Sequence, residues 1–333
     1  MTDSQNTERL VNAMKKIEII GTGMAKAKQV IPNDVFAKTL DTSDEWITSR
    51  TGIKERRFCG EDENAYTLAV EAARKTIVSA GIQTNQIDCV VCGTISGEYV
   101  TPSMACVVQK ELGIREDIPV LDVNAACSGF IYGLEVARGL LNSTGGKYAL
   151  VIGCEHLSKL LDMEDRNTCV LFGDGAGAVI IQTVEEGLYE SVLGAKGGYE
   201  IAVEGPGKKK SIIKMDGKAV FRFAVDVIPK CLIELQKKGN VTLDDVDMIV
   251  CHQANSRIID HCIRKLKGVP EKFYKNMERF GNTSAASIPI ALDEIITSQK
   301  VGVGDTLMLV GFGGGLTWAG VLIKIGEKHE KIE

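Results

Sequence analysis

Two hydrophobic rhythms alternate along the chain. Segments rich in Ala, Glu and Lys, such as LAVEAARKTIVSAGI (68–82), repeat apolar residues at helical spacing. Short Val/Ile runs, such as IDCVVCGT (87–94), PVLDVNAAC (119–127) and YALVIGCE (148–155), read as buried strands. Alternation of the two predicts an α/β fold around a buried sheet.

The order of segments then recurs. LAVEAARKTIV (68–78) followed by QIDCVVCGT (from 86) is echoed by FAVDVIPKCLI (223–233) followed by DVDMIVCHQ (from 245), and NAACSGFIYGLEVA from Asn124 is echoed by NTSAASIPIALDEI from Asn282. The offsets are 155, 159 and 158 residues, a near-constant shift that short insertions explain. The chain therefore reads as two duplicated halves, 17–185 and 186–333, behind an extension of residues 1–16. Equivalent turns should face each other across a pseudo-twofold axis. Cys127 falls opposite Ala285, and His252 ends a strand corresponding to the one that ends near Thr94. Each half keeps a different reactive residue.

At 333 residues, 44% hydrophobic and net charge −5, the chain has enough apolar material for a large core and no basic excess to suggest nucleic acid as a partner. The N-terminal MTDSQNTERLVNAMKK mixes charges without the apolar stretch of a secretory signal, and no window approaches 18 uninterrupted apolar residues. A cytoplasmic protein without membrane association is expected, its ten cysteines present as thiols. Cys89 and Cys92 form a C-x-x-C inside an apolar run with no second pair, so no metal site is expected. GTGMAK from Gly21 lacks the third glycine of a dinucleotide fingerprint, and FGDGAGAVII runs from glycines into a strand instead of a helix.

Candidate chemistry concentrates in four places. Cys127 follows the apolar IPVLDV and opens a segment in which Phe130, Leu134, Val136, Ala137, Leu140 and Leu141 recur at near-helical spacing. A thiol at a helix N-terminus feels the partial charge of unpaired N–H groups, which favours thiolate; the alternative is an inert cysteine in a tight turn. His252 ends a strand in VCHQANSRIID, whereas His156, His261 and His329 read as packed or solvated. Asn282, in GNTSAAS, reads either as a site residue or as a helix cap. Gly313, Gly314 and Gly315 can present backbone N–H groups to an oxyanion or merely connect two strands.

With these motifs assembled, the sequence resembles the thiolase superfamily, and within it the β-ketoacyl-acyl-carrier-protein synthase III family. The likeness runs from about Ile17 to the C-terminus through DTSDEWITSRTGI (41–53), NAACSGF (124–130), FGDGAGAV (172–179), HQAN (252–255), GNTSAAS (281–287) and GFGGGLTW (311–318). It implies a thiolase-like fold of two α/β halves in αβαβα layers and a homodimer. It implies that Cys127 accepts an acyl group from acyl-CoA, with His252 and Asn282 completing a Cys-His-Asn set, before malonyl-acyl-carrier protein loses CO2 and attacks the thioester. The N–H groups of Cys127 and Gly314 would hold the tetrahedral oxyanion. By the same resemblance the CoA adenine stacks between Trp46 and Arg166, with Thr42, Arg50 and Asn255 also along CoA, and Arg222, Arg257, Arg264 and Lys265 dock the acidic carrier protein. No metal or redox cofactor is implied. Thr101 stands where several relatives carry a Phe that closes the acyl pocket from the partner subunit, which suggests a deeper pocket.

Two other enzyme readings share the triad order. Papain-like hydrolases have Cys, His and Asn in this sequence order but place a tryptophan-bearing CGSCW around the thiol, unlike NAACSGF. A condensing enzyme or acyltransferase of secondary metabolism would keep the triad and change its partner. A non-catalytic acyl-CoA binder would have little reason to keep all three residues.

Overall fold

A computed structural model describes residues 14–205 and 211–329, so the expected extension 1–16 lies mostly outside the described residues. The first half lays down β1 (Lys16–Lys26), then the pair β2 (Gln29–Pro32) and β3 (Glu55–Phe58), which brackets α1 (Asn33–Ala37) and α2 (Asp44–Thr51). It continues with α3 (Ala65–Ala80), β4 (Ile87–Gly93), α4 (Met104–Leu112), β5 (Val120–Val123), α5 (Gly129–Thr144), β6 (Tyr148–Glu155) and β7 (Gly175–Val184). The second half contains β8 (Tyr189–Gly198), the short pair β9 (Ile201–Val203) and β10 (Ile213–Met215), then α6 (Gly217–Gly239) and β11 (Met248–Cys251). After these come α7 (Ser256–Leu266), α8 (Met277–Phe280), α9 (Ser287–Thr297), β12 (Thr306–Gly313) and β13 (Gly315–Ile325).

The strands repeat one plan. In the first half the order is β5-β4-β6-β7-β1, and in the second β11-β12-β13-β8. The parallel pair β4–β6 matches β11–β12, antiparallel β6–β7 matches β12–β13, and antiparallel β7–β1 matches β13–β8. A single parallel bridge, Ile249 to Phe273, stands where β5 would be repeated. The units meet where Glu18 and Ile19 of β1 pair with Lys324 and Ile325 of β13.

Strands β4, β6, β11 and β12 are buried almost throughout, which explains their unbroken apolar runs. Helices α5 and α9 form the middle layer and share one core with strands of both units. Helix α9 is buried continuously from Ser287 to Ile295, as a helix with protein on every side must be. Helices α3 and α4 cover the first unit and α6 and α7 the second, completing αβαβα layers. Each fully buried Ile or Leu in this arrangement contributes roughly 1.5–3 kcal/mol. All ten cysteines fall among the described residues and are unpaired. Among those residues no helix is long and apolar enough to cross a membrane.

Helices α5 and α9 are entered through matching 3₁₀ turns, Ala126–Ser128 and Ser284–Ala286, so Cys127 precedes its helix instead of opening it. Each turn begins with a residue in the left-handed region, Ala126 at φ 46° and Ser284 at φ 48°. Each also rests on a strand glycine of the other half. A Cβ on Gly153 of β6 would overlap the Ala285 carbonyl, and one on Gly311 of β12 would lie 3.2 Å from Ser128 Cα and 3.3 Å from Cys127 O. Both glycines and both turns are separated by the 158-residue offset of the Asn motifs.

The clash predicts that Gly153→Ala lowers stability by roughly 1–3 kcal/mol, the usual cost of overpacking. Thermal denaturation should show the loss, while Gly302→Ala, where a Cβ meets nothing within 4 Å, should not. An unchanged melting temperature for G153A would contradict this packing.

Candidate active site

A cavity of about 460 Å³ runs inward from Trp46 and Arg166 to Cys127, His252 and Asn282. Cys127 is only 7% exposed, and burial pushes its thiol up to about 12, with the Ser284 hydroxyl pulling the other way. The resting group is a neutral thiol. The thiolate expected from its place before a helix is outweighed by desolvation. Gly313 packs directly on it, since a Cβ there would lie 2.8 Å from Cys127 N and 3.2 Å from Sγ.

His252 leaves β11 with its N–H donating to Val310 O at 2.8 Å, and its ring meets Phe312 edge-on with centroids 5.1 Å apart. Its Nδ1 lies 2.7 Å from Ser287 Oγ, which also accepts from Gln253 N at 3.4 Å. The Ser287 hydroxyl can give its proton to Nδ1, and in that arrangement the imidazole proton sits on Nε2. Burial lowers the His252 pKa to about 3, so the ring stays neutral and donates through Nε2. Asn282 is anchored by exchange with the 171–173 segment, its N–H donating to Leu171 O at 2.8 Å and its carbonyl accepting from Gly173 N at 3.0 Å. Its Oδ1 accepts from Ser284 N at 2.9 Å, so the side-chain NH2 is the part left for the cavity. Asn282 lines the cavity and braces the turn before α9, but it is not a helix cap: Ala286 holds that position without a side-chain hydrogen bond.

The remaining expected positions separate. Trp46, Arg166 and Asn255 line the cavity, while Thr42 and Arg50 do not. The Arg166 and Arg50 guanidiniums lie 5.4 and 5.1 Å from the Trp46 ring centroid, and Arg166 also pairs with Asp41. An adenine entering between Trp46 and Arg166 would have to displace that arginine. Asn255 caps α7 through Arg257 N and donates to Arg50 O at 3.0 Å. Gly313 lines the cavity and Gly314 packs against Ala126 and Ile201. Thr101 is exposed beside Tyr99 and Val100, outside its own chain's cavity. Arg222 on α6 and Arg257, Arg264 and Lys265 on α7 are exposed; Arg222 and Arg257 directly adjoin the lining residues Phe221 and Ile258. Away from the cavity, Cys59, His156 and Asp174 approach within 4.8 Å, but the Asp174 oxygens already accept from Cys59 N, Ser158 N and Ser158 Oγ, which reads as a structural brace. Sequence reasoning did not assign roles to Ser284 and Ser287, although both lie in the quoted GNTSAAS; hydroxyl contacts across the chain carry no sequence periodicity.

A buried thiol, a neutral imidazole donor and a carboxamide at the end of one tunnel define a condensing-enzyme type of site. Residues 121–197 match the family model described as 3-oxoacyl-[acyl-carrier-protein] synthase III, and residues 235–325 match its C-terminal model. A β-ketoacyl-[acyl-carrier-protein] synthase III of Clostridium botulinum is 46% identical over 324 residues, 93% of this chain and 99% of the relative. The crystal structure of 3-oxoacyl-[acyl-carrier-protein] synthase III from Aquifex aeolicus superposes with a TM-score of 0.87 at 41% identity, covering 93% of this chain and all of that one (100%). The priming β-ketosynthase of the R1128 polyketide pathway superposes at 0.88 with 31% identity, covering 95% and 98%. The fold is thiolase-like. The chain belongs to the β-ketoacyl-[acyl-carrier-protein] synthase III family of condensing acyltransferases.

The depressed His252 pKa predicts that its ring resonances hold neutral-imidazole positions from pH 8 down to pH 5, because protonation begins only toward about 3. Ser287→Ala should remove the constraint on Nδ1 and slow condensation about tenfold or more, the range of a lost catalytic donor being ~10²–10³. Normal titration of His252 near pH 6.5 would contradict the assigned environment.

Proposed function

We propose that this chain is a β-ketoacyl-acyl-carrier-protein synthase III that joins an acyl-CoA primer to malonyl-acyl-carrier protein and so initiates fatty acid synthesis. The supporting observation is the pairing of contacts around the tunnel end: Ser287 engages His252 Nδ1 and Ser284 N engages Asn282 Oδ1, which leaves Nε2 and the side-chain NH2 for the cavity that Cys127 also lines.

In the first stage the Cys127 sulfur attacks the primer thioester, and CoA leaves. Sulfur suits both steps, since it forms and surrenders a thioester at modest cost, and the apolar tunnel protects the acyl-enzyme from water. The N–H groups of Cys127 and Gly314 hold the tetrahedral oxyanion. In the second stage the malonyl carboxylate departs as CO2, and the resulting enolate oxygen receives His252 Nε2–H and the Asn282 amide. The enolate carbon then attacks the acyl carbon and releases Cys127. Loss of CO2 generates the nucleophile, so the condensation needs no metal or redox cofactor.

The same reading assigns Trp46 and Arg166 to the CoA adenine, with Thr42 near the nucleotide, Arg50 as a further CoA contact and Asn255 along the pantetheine arm. Arg166 swings off the indole when the base enters. Arg222, Arg257, Arg264 and Lys265 surround the tunnel lip as a basic surface for the acidic carrier protein. A homodimer brings the exposed Tyr99-Val100-Thr101 segment into the partner's acyl pocket, and residues 17–185 and 186–333 act as the nucleophile-bearing and donor-bearing halves. The enzyme works in the cytoplasm.

Acyl-CoA alone should add one acyl mass to the peptide containing Cys127, and malonyl-acyl-carrier protein should then discharge it with release of CO2. His252→Ala and Asn282→Ala should still load while losing decarboxylation by about a hundredfold, since one such donor is worth ~3 kcal/mol of barrier. Equal loss of both stages would contradict the division of roles. Normal loading with poor discharge by malonyl-acyl-carrier protein would favour a secondary-metabolism relative. Thr101→Phe should narrow the primer range toward acetyl-CoA; an unchanged ratio of acetyl to longer primers would refute the pocket assignment.

A further inference from the structure

Of the buried acids that the two-stage reaction leaves unused, Glu155 has an unpartnered oxygen. Glu155 ends β6 with no solvent exposure (0%), and its Oε2 is held by Thr94 Oγ1 at 3.4 Å, Ile95 N at 3.2 Å and Ser96 Oγ. Its Oε1 has no hydrogen-bond partner, and neither does Ser284 Oγ in the facing turn. Buried polar atoms without partners are rare and costly, and two in neighbouring side chains need a reason. Ser284 lines the cavity together with Cys127, and its turn packs against β6, the strand that ends in Glu155. That turn is held onto β6 by the Gly153 contact.

His252 cannot take the thiol proton in this arrangement. Its Nδ1 lone pair is engaged by Ser287, and its Nε2 already carries the imidazole proton. We propose that Glu155 accepts the Cys127 proton through the Ser284 hydroxyl and stores it for the lifetime of the acyl-enzyme. The inference rests on Cys127 being the acyl acceptor.

The steps balance. During loading, the thiol proton passes to Ser284 Oγ as the hydroxyl proton passes to Glu155 Oε1. The sulfur bonds to the primer carbonyl carbon, the bond from that carbon to the CoA sulfur breaks, and the departing CoA thiolate takes a proton from solvent. During condensation, the enolate carbon bonds to the acyl carbon, the bond to Cys127 breaks, and the thiolate recovers the stored proton along the same path. Each turnover consumes one solvent proton and returns the carboxylate to its starting state.

The surroundings suit a proton store. Burial lifts the Glu155 carboxyl from 4.5 to about 7, opposed by the donors Ser96 Oγ and Ile95 N. The titratable groups that feel its charge are thiols: Cys127, and Cys92 of β4 and Cys154 of β6, which pack on the opposite face of the sheet, each held protonated first by burial and further by negative charge nearby. Asp122 acts on Cys92, and Asp174 acts on Cys154 from the segment before β7. His156, next along the chain, points its ring toward Glu98 and Asp174.

The test is single-turnover acylation of Cys127 by acetyl-CoA and butyryl-CoA, read by mass from pH 5.5 to 9, in the full chain and in Glu155→Gln, Glu155→Asp and Ser284→Ala. The parent rate should rise with pH through a limb near 7, as the carboxylate forms, and then level off. E155Q should load at least about tenfold more slowly and lose that limb, a modest share of what a general base supplies, and E155D should restore part of both. Parent-like rate and pH profile in a folded E155Q would overturn the proposal. Should E155Q fail to fold, S284A decides: parent-like loading overturns the relay, and slowed loading with an altered limb supports it. Failure of every protein, the parent included, to acylate Cys127 with either primer would instead refute the nucleophile assignment.

Discussion

The site depends on how closely two backbone turns can lie on strands of the opposite half. Gly153 leaves room for the Ala285 carbonyl, and Gly311 leaves room for Cys127 and Ser128. A methyl group at either glycine would push one turn outward. Because these contacts are reciprocal, the turn carrying the thiol and the turn braced by Asn282 are registered by the same pair of interactions. The precision needed to aim three side chains at one carbonyl comes from core packing, which is stiff, and not from loop conformation.

Burial also decides the charge state. The thiol is pushed up, the imidazole down and the Glu155 carboxyl up, each mainly by loss of water. All three changes favour the uncharged form, so the resting tunnel end carries little charge into a low-dielectric space. Charge then develops only as bonds change, where oriented donors act most strongly. Two serines stand at this end without touching a reacting carbon: Ser287 bonds His252 Nδ1, and Ser284 lines the cavity beside Cys127.

The halves have diverged around a shared frame. The first half carries the nucleophile and the added segments 27–63 and 156–174, whose apolar residues form a satellite core with Phe36, Ile47, Leu157 and Phe172. That core supports Trp46 and Arg166 at the outer end of the tunnel. The second half carries His252 and Asn282, and its outer helices α6 and α7 expose Arg222, Arg257, Arg264 and Lys265.

Strand and helix order, the duplication and the convergence of Cys127, His252 and Asn282 were legible from the chain, because buried strands need continuous apolar runs and a repeated fold repeats its turns. Position alone left Cys127 either a site thiol or an inert cysteine in a tight turn, and the family resemblance singled it out among the ten. Sequence could not determine that this thiol rests protonated, that Gly313 packs directly on it, that Arg166 covers the indole, that Ser287 bonds the His252 ring, or that Glu155 is buried with one oxygen unpartnered. Those features arise from contacts between residues tens to hundreds of positions apart and from the removal of water. Periodicity records which face of an element is apolar, whereas proton positions and dielectric surroundings exist only after the faces have packed.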